Sequence, residues 1–296
     1  MHGALISVII PMYNNKDTIR RTIASVFSQS YSNFEVIVVD DGSNDGGDEI
    51  VRQITDKRLH LFRLPHHNAN VARNYGIRQS RGEYIAMLDA DDEWKKNHLT
   101  LSLQTLLQEK ADGVYGSLIL HNGKEEHQFT TRPVKEEEST IDFLLSCGYG
   151  AQTSTLFMTA TSAKAVLWDE TLKRHQDYDF LVRYFRKYRM RPKLEATTIY
   201  HSSNVSTSID FDSCIRFIHT VEQEITDQLY LKYHLHMLKL AIALSAYEDI
   251  IRHYRKESTR NEYLLSLHDY LLIRNPKGKM ETLFCKIKYI WNISKH

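Results

Sequence analysis

Only three of the 296 residues are cysteine, Cys147, Cys214 and Cys285, and they lie far apart in the chain. No C-x-x-C pair occurs, so neither a zinc cage nor a disulfide framework is expected, and isolated thiols fit a reducing compartment. An excess of charge of one sign is also missing. The 38 Lys and Arg against 37 Asp and Glu leave a formal net charge of +1. A general nucleic-acid binder carries a clear basic excess, so no nucleic-acid partner is expected. Long hydrophobic runs are absent as well. The longest uncharged apolar stretch, Leu240 to Tyr247, falls far short of the roughly 20 residues that span a bilayer. The N-terminal residues carry no basic segment followed by an apolar stretch and a cleavage site. A cytoplasmic protein is expected, with at most peripheral contact with the inner face of a membrane.

The first ninety residues alternate short apolar runs with helical patterns. Leu5–Ile10 is stopped by Pro11, Phe34–Val39 by Asp40-Asp41-Gly42, and Glu83–Leu88 by Asp89; Leu59–Leu64 is a weaker run. Near-continuous apolar runs of this length read as parallel strands covered on both faces. Helices are expected from near Asn15 through Phe27, from about Asn44 to Ile54 with Ser43 or Asn44 as cap, and from Val71 to Gln79. This is an α/β pattern of βαβ units around a mainly parallel sheet with flanking helices. Further on, Val114–Leu120, Asn122-Gly123 and a polar stretch to Thr130 read as a hairpin. Helices are expected over 140–147 and 177–188, and strands over 153–159 and 193–200. Beyond Ser208 the pattern turns helical, and Phe211–Lys256 contains neither Pro nor Gly. The expected division is therefore a catalytic domain over 1–208 and a helical C-terminal region over 209–296.

In an open α/β sheet, ligands bind outside the carboxyl ends of the strands. Those ends here carry Pro11-Met12-Tyr13-Asn14, Asp40-Asp41-Gly42-Ser43 and Asp89-Ala90-Asp91-Asp92. In an extended segment, residues two apart point to the same side, so Asp89 and Asp91 can face one hard cation and the phosphate oxygens it binds. A cation there would neutralise charge building on a diphosphate. A bare D-x-D is also a common helix-capping loop, and its place after a buried strand is what favours the metal. Asp40 can accept a hydrogen bond from a base N–H or a ribose hydroxyl, while Asp-Gly-Ser is equally good turn chemistry. Arg73, early in the third helix, can reach a nucleotide diphosphate or sit on the surface.

The order and spacing of four motifs resemble glycosyltransferase family 2, the inverting enzymes of the GT-A fold. The motifs are Val8-Ile9-Ile10-Pro11-Met12-Tyr13-Asn14, Val39-Asp40-Asp41-Gly42-Ser43, Ala72-Arg73-Asn74-Tyr75-Gly76-Ile77 and Leu88-Asp89-Ala90-Asp91-Asp92. The resemblance implies a GT-A (Rossmann-like) sheet and a nucleotide-sugar donor, usually a UDP-sugar. It places that donor on Pro11, Tyr13, Asn14, Asp40, Asp41, Arg73, Asp89 and Ala90. A divalent cation, Mn2+ or Mg2+, would be held mainly by Asp91 with Asp89. It also implies a general base at the start of an amphipathic helix, which aligns with Asp177 in Gln176-Asp177-Tyr178-Asp179. The family's usual preceding acid is Gln176 here, and Asp179 is the rival base. An Asp at a helix start is also a good cap. His201, in the loop after the last core strand, is a further expected metal ligand. The implied acceptor is a hydroxyl of a glycan or lipid-linked glycan in surface polysaccharide assembly.

Other readings fit less well. A dehydrogenase would carry G-x-G-x-x-G after its first strand, where this chain has Pro11-Met12-Tyr13-Asn14-Asn15. A sugar nucleotidyltransferase would carry a glycine-rich basic loop there. A non-catalytic nucleotide-sugar-binding protein would not need Asp89, Asp91 and Asp177 together. Near the C-terminus, Lys279, Lys286, Lys288 and Lys295 alternate with Leu283, Phe284, Ile287, Tyr289, Ile290 and Trp291. Such a helix can lie on an anionic membrane surface, pack on the catalytic domain, or pair two copies of the chain.

Overall fold

The computed structural model describes residues 3–148, 150–201 and 209–260. The chain divides into two compact units, Met1–Ser202 and Ser203–His296. The basic stretch from Lys279 to Lys295 and most of the loop after His201 lie outside the described residues.

The first unit is built on one sheet. Its strands are β1 (Ile6–Met12), β2 (Phe34–Asp40), β3 (Leu59–Arg63), β4 (Tyr84–Met87), β5 (Glu93–Trp94), β6 (Gly113–His121), β7 (Glu126–Phe129), β8 (Phe157–Thr159) and β9 (Met190–His201). The order is β3-β2-β1-β4-β8-β6-β9-β5, with β7 paired to β6. Strands β3, β2, β1 and β4 run parallel, β8 is antiparallel to β4 and β6, and β6 and β9 are parallel to each other. The helices are α1 (Ile19–Phe27), α2 (Gly47–Arg52), α3 (Ala69–Gln79), α4 (His98–Gln108), α5 (Thr140–Ser146), α6 (Ala160–Val166) and α7 (Gln176–Phe185). The mixed, mainly parallel α/β sheet expected from the sequence is present.

Every residue of β1 and β2 is buried, as expected of parallel strands covered on both faces. Ile6, Val8 and Ile10 of β1 pack with Val36 and Val38 of β2 and with Ile19, Ile23 and Val26 of α1. On α3, a Cβ at Gly76 would stand 2.5 Å from Ile9 Cγ2. Only glycine lets α3 lie this close to the sheet, and that approach delivers Arg73 to the strand ends.

The second helix is shorter than expected. It begins after Gly46, whose φ of 85° takes the left-handed conformation, and neither Ser43 nor Asn44 caps it. Instead, the Ser43 hydroxyl accepts from Asn14 N–H at 2.9 Å, and Asn14 Oδ1 accepts from Asn44 N–H at 3.0 Å. These bonds lock the loops after β1 and β2 together. The stretch expected to be β-like at 153–159 is a 3-10 turn, Thr153–Thr155, followed by β8. In the second unit, the helical pattern after Ser208 divides into α8 (Phe211–Val221), α9 (Asp227–Ala243) and α10 (Glu248–Ser258). Tyr254 of α10 is fully buried. It lies edge-on to Phe211, and Tyr230 donates to Glu257 at 2.7 Å.

A lysine is buried inside the first unit. Lys193 on β9 is 1% exposed; its ammonium meets Thr197 Oγ1 and lies 3.3 Å from His98 Nδ1. Burial lowers its pKa from 10.5 to about 7. The unfolded chain therefore binds a proton that the folded chain gives up between these two values. The cost is absent above pH 10.5, grows as pH falls, and is complete below about 7. Replacing Lys193 with Met is expected to stabilise the fold by up to about 5 kcal/mol below pH 7. Thermal unfolding of Lys193→Met against pH checks this: the gain should shrink as pH rises toward 10.

A two-part cleft at the carboxyl ends of the strands

Two clefts open at the carboxyl ends of β1, β2 and β4. The first is lined by Pro11, Met12, Tyr13, Asn15, Asp41, Ala69, Ala72, Arg73, Asp89, Ala90 and Asp91. The second is lined by Arg73, Asp89, Gln152, Thr153, Lys173, Arg174, His175, Gln176, Asp177, Tyr178 and Tyr200. Their volumes are about 190 and 380 Å³, a combined size that suits a small-molecule ligand. Arg73 and Asp89 belong to both. Arg73 Nη2 lies 2.8 Å from Asp89 Oδ1, so this ion pair is the partition between the two halves.

The acidic loop after β4 is held on several sides. Thr18 and Thr22 donate to Ala90 O at 2.8 and 2.9 Å, and Arg21 Nη2 donates to Asp91 O at 2.7 Å. Asp92 is buried. It accepts from Ser154 Oγ at 2.5 Å and from His201 N–H at 3.1 Å. Burial, then the charges of Asp89 and Asp91, push its carboxyl well above the usual range. Asp92 thus braces the loop from behind, while Asp91 lines the first cleft.

On α3, Asn68 caps the helix by accepting from Asn70 N–H and Val71 N–H. Asn70, Arg73 and Asn74 share one face, at spacings of three and four residues. Asn70 Nδ2 donates to Asp169 O and Leu172 O, Asn74 Nδ2 donates to Trp168 O, and Trp168 N–H donates back to Asn74 Oδ1. Arg73 lies over the Trp168 indole at 4.7 Å, and the same indole stacks on Phe180 at 4.3 Å. Segment 168–172 and α7 are thereby fastened to the helix that carries Arg73. The two asparagines are the functional supports that sequence reasoning missed. Their signal was a pair of polar residues four apart on a helix otherwise turned toward the sheet.

Asp177 lies in the first turn of α7 and is partly buried. Burial raises its pKa above the ordinary carboxylate value, against the opposing pull of the Tyr178 N–H, Arg73 and Arg174. A raised carboxylate in a cleft has the character of a general base. Asp179 does not compete for that place: it is buried, with Oδ2 held by Arg183 at 2.6 Å.

Three expected contacts are placed differently. Asp40 is fully buried beneath the cleft. Its Oδ1 accepts from Ser43 N–H at 2.9 Å, so it shapes the loop, and Asp41 is the residue of this pair that lines the first cleft. Asp41 is itself braced by His67 N–H at 2.9 Å and His66 Nδ1 at 2.9 Å. Asn14, with a φ of 52°, is the loop lock already described, and Asn15 takes its place in the lining. His201 lines neither cleft. Its Nε2 meets Glu93 Oε1 at 2.8 Å, and its ring leans on His121. Among the described residues no three His, Cys, Asp or Glu gather as a metal-binding group, so His201 does not complete a set with Asp89 and Asp91. Tyr13, by contrast, stands 43% exposed at the rim of the first cleft. It is stacked on His66 at 4.0 Å.

Two carboxylates suffice for a cation that takes its remaining ligands from water and substrate phosphate, as Mg2+ does. Asp91 lines the first cleft, and Asp89 keeps Oδ2 outside its contact with Arg73. This hard oxygen donor set fits Mg2+ or Mn2+.

Comparison with known proteins places the chain in a family and a fold. The profile of Glycosyl transferase family 2 matches residues 7–167, over half of the chain. The chain is 34% identical over 189 residues to the amylovoran biosynthesis glycosyltransferase AmsB of Erwinia amylovora, covering 60% of this chain and 62% of that protein. It is 34% identical over 161 residues to the UDP-Glc:alpha-D-GlcNAc-diphosphoundecaprenol beta-1,3-glucosyltransferase WfgD of Escherichia coli, covering 54% and 62%. These matches span less than two thirds of either relative. Among solved structures, S. aureus TarS 1-349 in complex with UDP-GlcNAc superposes with a TM-score of 0.70 at 18% identity, over 97% of this chain and 92% of that one. The mannosyltransferase PcManGT of Pyrobaculum calidifontis, in complex with GDP-Man and Mn2+, gives a TM-score of 0.56 at 14% identity, over 97% and 87%. These two likenesses establish the fold.

Proposed function

The chain belongs to Glycosyl transferase family 2, and from that premise we propose that it transfers a sugar from a UDP-sugar to a hydroxyl of a glycan or lipid-linked acceptor, with inversion and with a divalent cation. The observation that carries this reading is the shared partition: the Asp91 cleft and the Asp177 cleft meet at Arg73 and Asp89. The first half suits the donor, with Asp41 and the Tyr13 ring at the nucleotide and Arg73 toward the diphosphate. The second half suits the acceptor. There Asp177 takes the proton from the acceptor hydroxyl as that oxygen attacks the anomeric carbon. The bond from that carbon to the diphosphate oxygen breaks, and the nucleoside diphosphate leaves. A single displacement from the face opposite the leaving group inverts the anomeric centre. Arg73, fixed between Asn70 and Asp89, is placed where it can stabilise the departing charge. Asp91 and Asp89 would hold the cation, which supplies neutralisation of the leaving diphosphate.

The relatives support a surface-polysaccharide setting. One acts in amylovoran biosynthesis, and one is named for a diphosphoundecaprenol-linked acceptor. Residues 1–208 are proposed as the catalytic domain and 209–296 as a helical region that meets a membrane, the acceptor or a second copy. No helix of the described residues is long and apolar enough to cross a membrane.

A panel of nucleotide sugars with and without Mn2+ tests the assignment. The expected result is cation-dependent release of UDP from one UDP-sugar. Release of pyrophosphate from UTP and a sugar phosphate would instead make the protein a nucleotidyltransferase.

A further inference from the structure

We propose that Ser154 is a positioning residue that sets the acidic loop for cation binding; this rests on the reading of Asp91 and Asp89 as the cation's holders. Ser154 lies in the 3-10 turn Thr153–Thr155 and is 1% exposed. Its hydroxyl accepts from Asp89 N–H at 3.0 Å and donates to Asp92 Oδ2 at 2.5 Å. An amide N–H only donates, so the hydroxyl accepts from Asp89 and its own proton is available to Asp92. One side chain therefore ties the first residue of the Asp89–Asp92 run to the last.

Ser154 is itself held. Its carbonyl accepts from Trp94 Nε1 at 2.8 Å and from Thr198 Oγ1 at 3.2 Å. The pin is anchored in β5 and β9, behind the loop, and Asp92 is closed from its other side by His201 N–H. On the opposite flank, Thr18, Thr22 and Arg21 hold the carbonyls of Ala90 and Asp91. The two sets act on different atoms: α1 fixes the middle of the loop, and Ser154 fixes its ends. Asp89 and Asp91 approach a common cation only if Asp89 leaves β4 at the angle that its N–H bond to Ser154 sets. Removing the hydroxyl leaves that amide and the buried Asp92 carboxylate each short of a partner, and Asp92 then pulls the loop toward another donor.

The next residue back, Thr153, lines the Asp177 cleft. Ser154 thus lies between a residue that lines the Asp177 cleft and, through its bond to Asp89 N–H, the partition shared by both clefts, although it lines neither.

Titration calorimetry with UDP across a series of Mn2+ concentrations tests the role without any need for the natural donor. In Ser154→Ala, the Mn2+ concentration giving half-maximal UDP affinity should rise about tenfold, the lower end for lost supports of metal ligands. UDP affinity without metal should not change. Ser154→Cys, which keeps a weak donor and acceptor, should fall between alanine and wild type. Ile6→Val, a mild core truncation at the far end of β1, serves as a control for lost stability: a similar fall in thermal midpoint should leave the Mn2+ requirement unmoved. If Ser154→Ala does not fold, Ser154→Cys against Ile6→Val carries the comparison. An unchanged Mn2+ requirement in both Ser154 variants, with a cation-dependent wild type, overturns the role of Ser154 alone. A wild type whose UDP affinity ignores Mn2+ overturns the cation reading beneath it.

Discussion

Replacing Asp177 with Asn should abolish transfer while leaving donor binding intact. Loss of a general base costs on the order of 10²–10⁴-fold in rate, and the loss should fall on kcat. Asp177 lines only the second half of the cleft, so UDP affinity should stay near the wild-type value. Two further readouts follow from the raised pKa of this carboxyl. In the wild-type enzyme the base form disappears as pH falls through that pKa. The acid limb of the rate profile should therefore lie above the usual carboxylate range, and the Asn variant should lack it. Stability moves the other way. A carboxyl whose folded pKa exceeds its unfolded value favours folding below the unfolded pKa, and that contribution is lost as pH rises through the folded one. At neutral pH, Asp177→Asn should then melt at or above the wild-type temperature. Activity lost together with stability would instead point to a structural role in the first turn of α7, where an acid favours the helix dipole; the cap position itself is His175.

The second large effect is expected at Asp91. Asp91→Asn should reduce cation-dependent turnover by about 10²–10³-fold, equivalent to several kcal/mol of charge stabilisation at the leaving diphosphate. The loop should keep its shape, because Arg21 holds the Asp91 carbonyl and Thr18 and Thr22 hold that of Ala90. The thermal midpoint should change little, and UDP should still bind weakly without a cation. Steady-state rates across a Mn2+ series, paired with thermal unfolding, check both parts. Turnover within threefold of wild type at every Mn2+ concentration would remove Asp91 from the mechanism.

Much of the first unit was legible because its strands are buried on both faces, so β1, β2 and β4 appear as near-continuous apolar runs ending in polar groups, interrupted only by the buried Ser7 and Glu35. What the sequence left open depends on contacts between distant segments. Strand β5 is two residues long and exists through its pairing with β9, so no local pattern marks it. Asp40 and Asp41 are adjacent acids of equal chemistry. Only the bond from Asp41 N–H to Met12 O and the Asp40 contact with Ser43 decide which one meets the cleft. His201 has the chemistry of a ligand, but its strand register between β6 and β5 turns it toward Glu93 and His121. In the second unit, the break after α9 falls at Ser245, whose φ is 54°. No glycine or proline announces it. Asp91 was named from its place after a buried strand and from the family resemblance, and Asp177 from that resemblance alone. The Arg73–Asp89 partition between their two half-clefts is a finding of the structure.

A crystal structure with UDP and Mn2+, located by its anomalous scattering, tests the account most directly. The account predicts the manganese at coordination distance from Asp91 and the uridine in the half-cleft of Tyr13 and Asp41. The diphosphate should point past Arg73 toward Asp177. Manganese bound away from Asp91, or uridine outside that half-cleft, would contradict it.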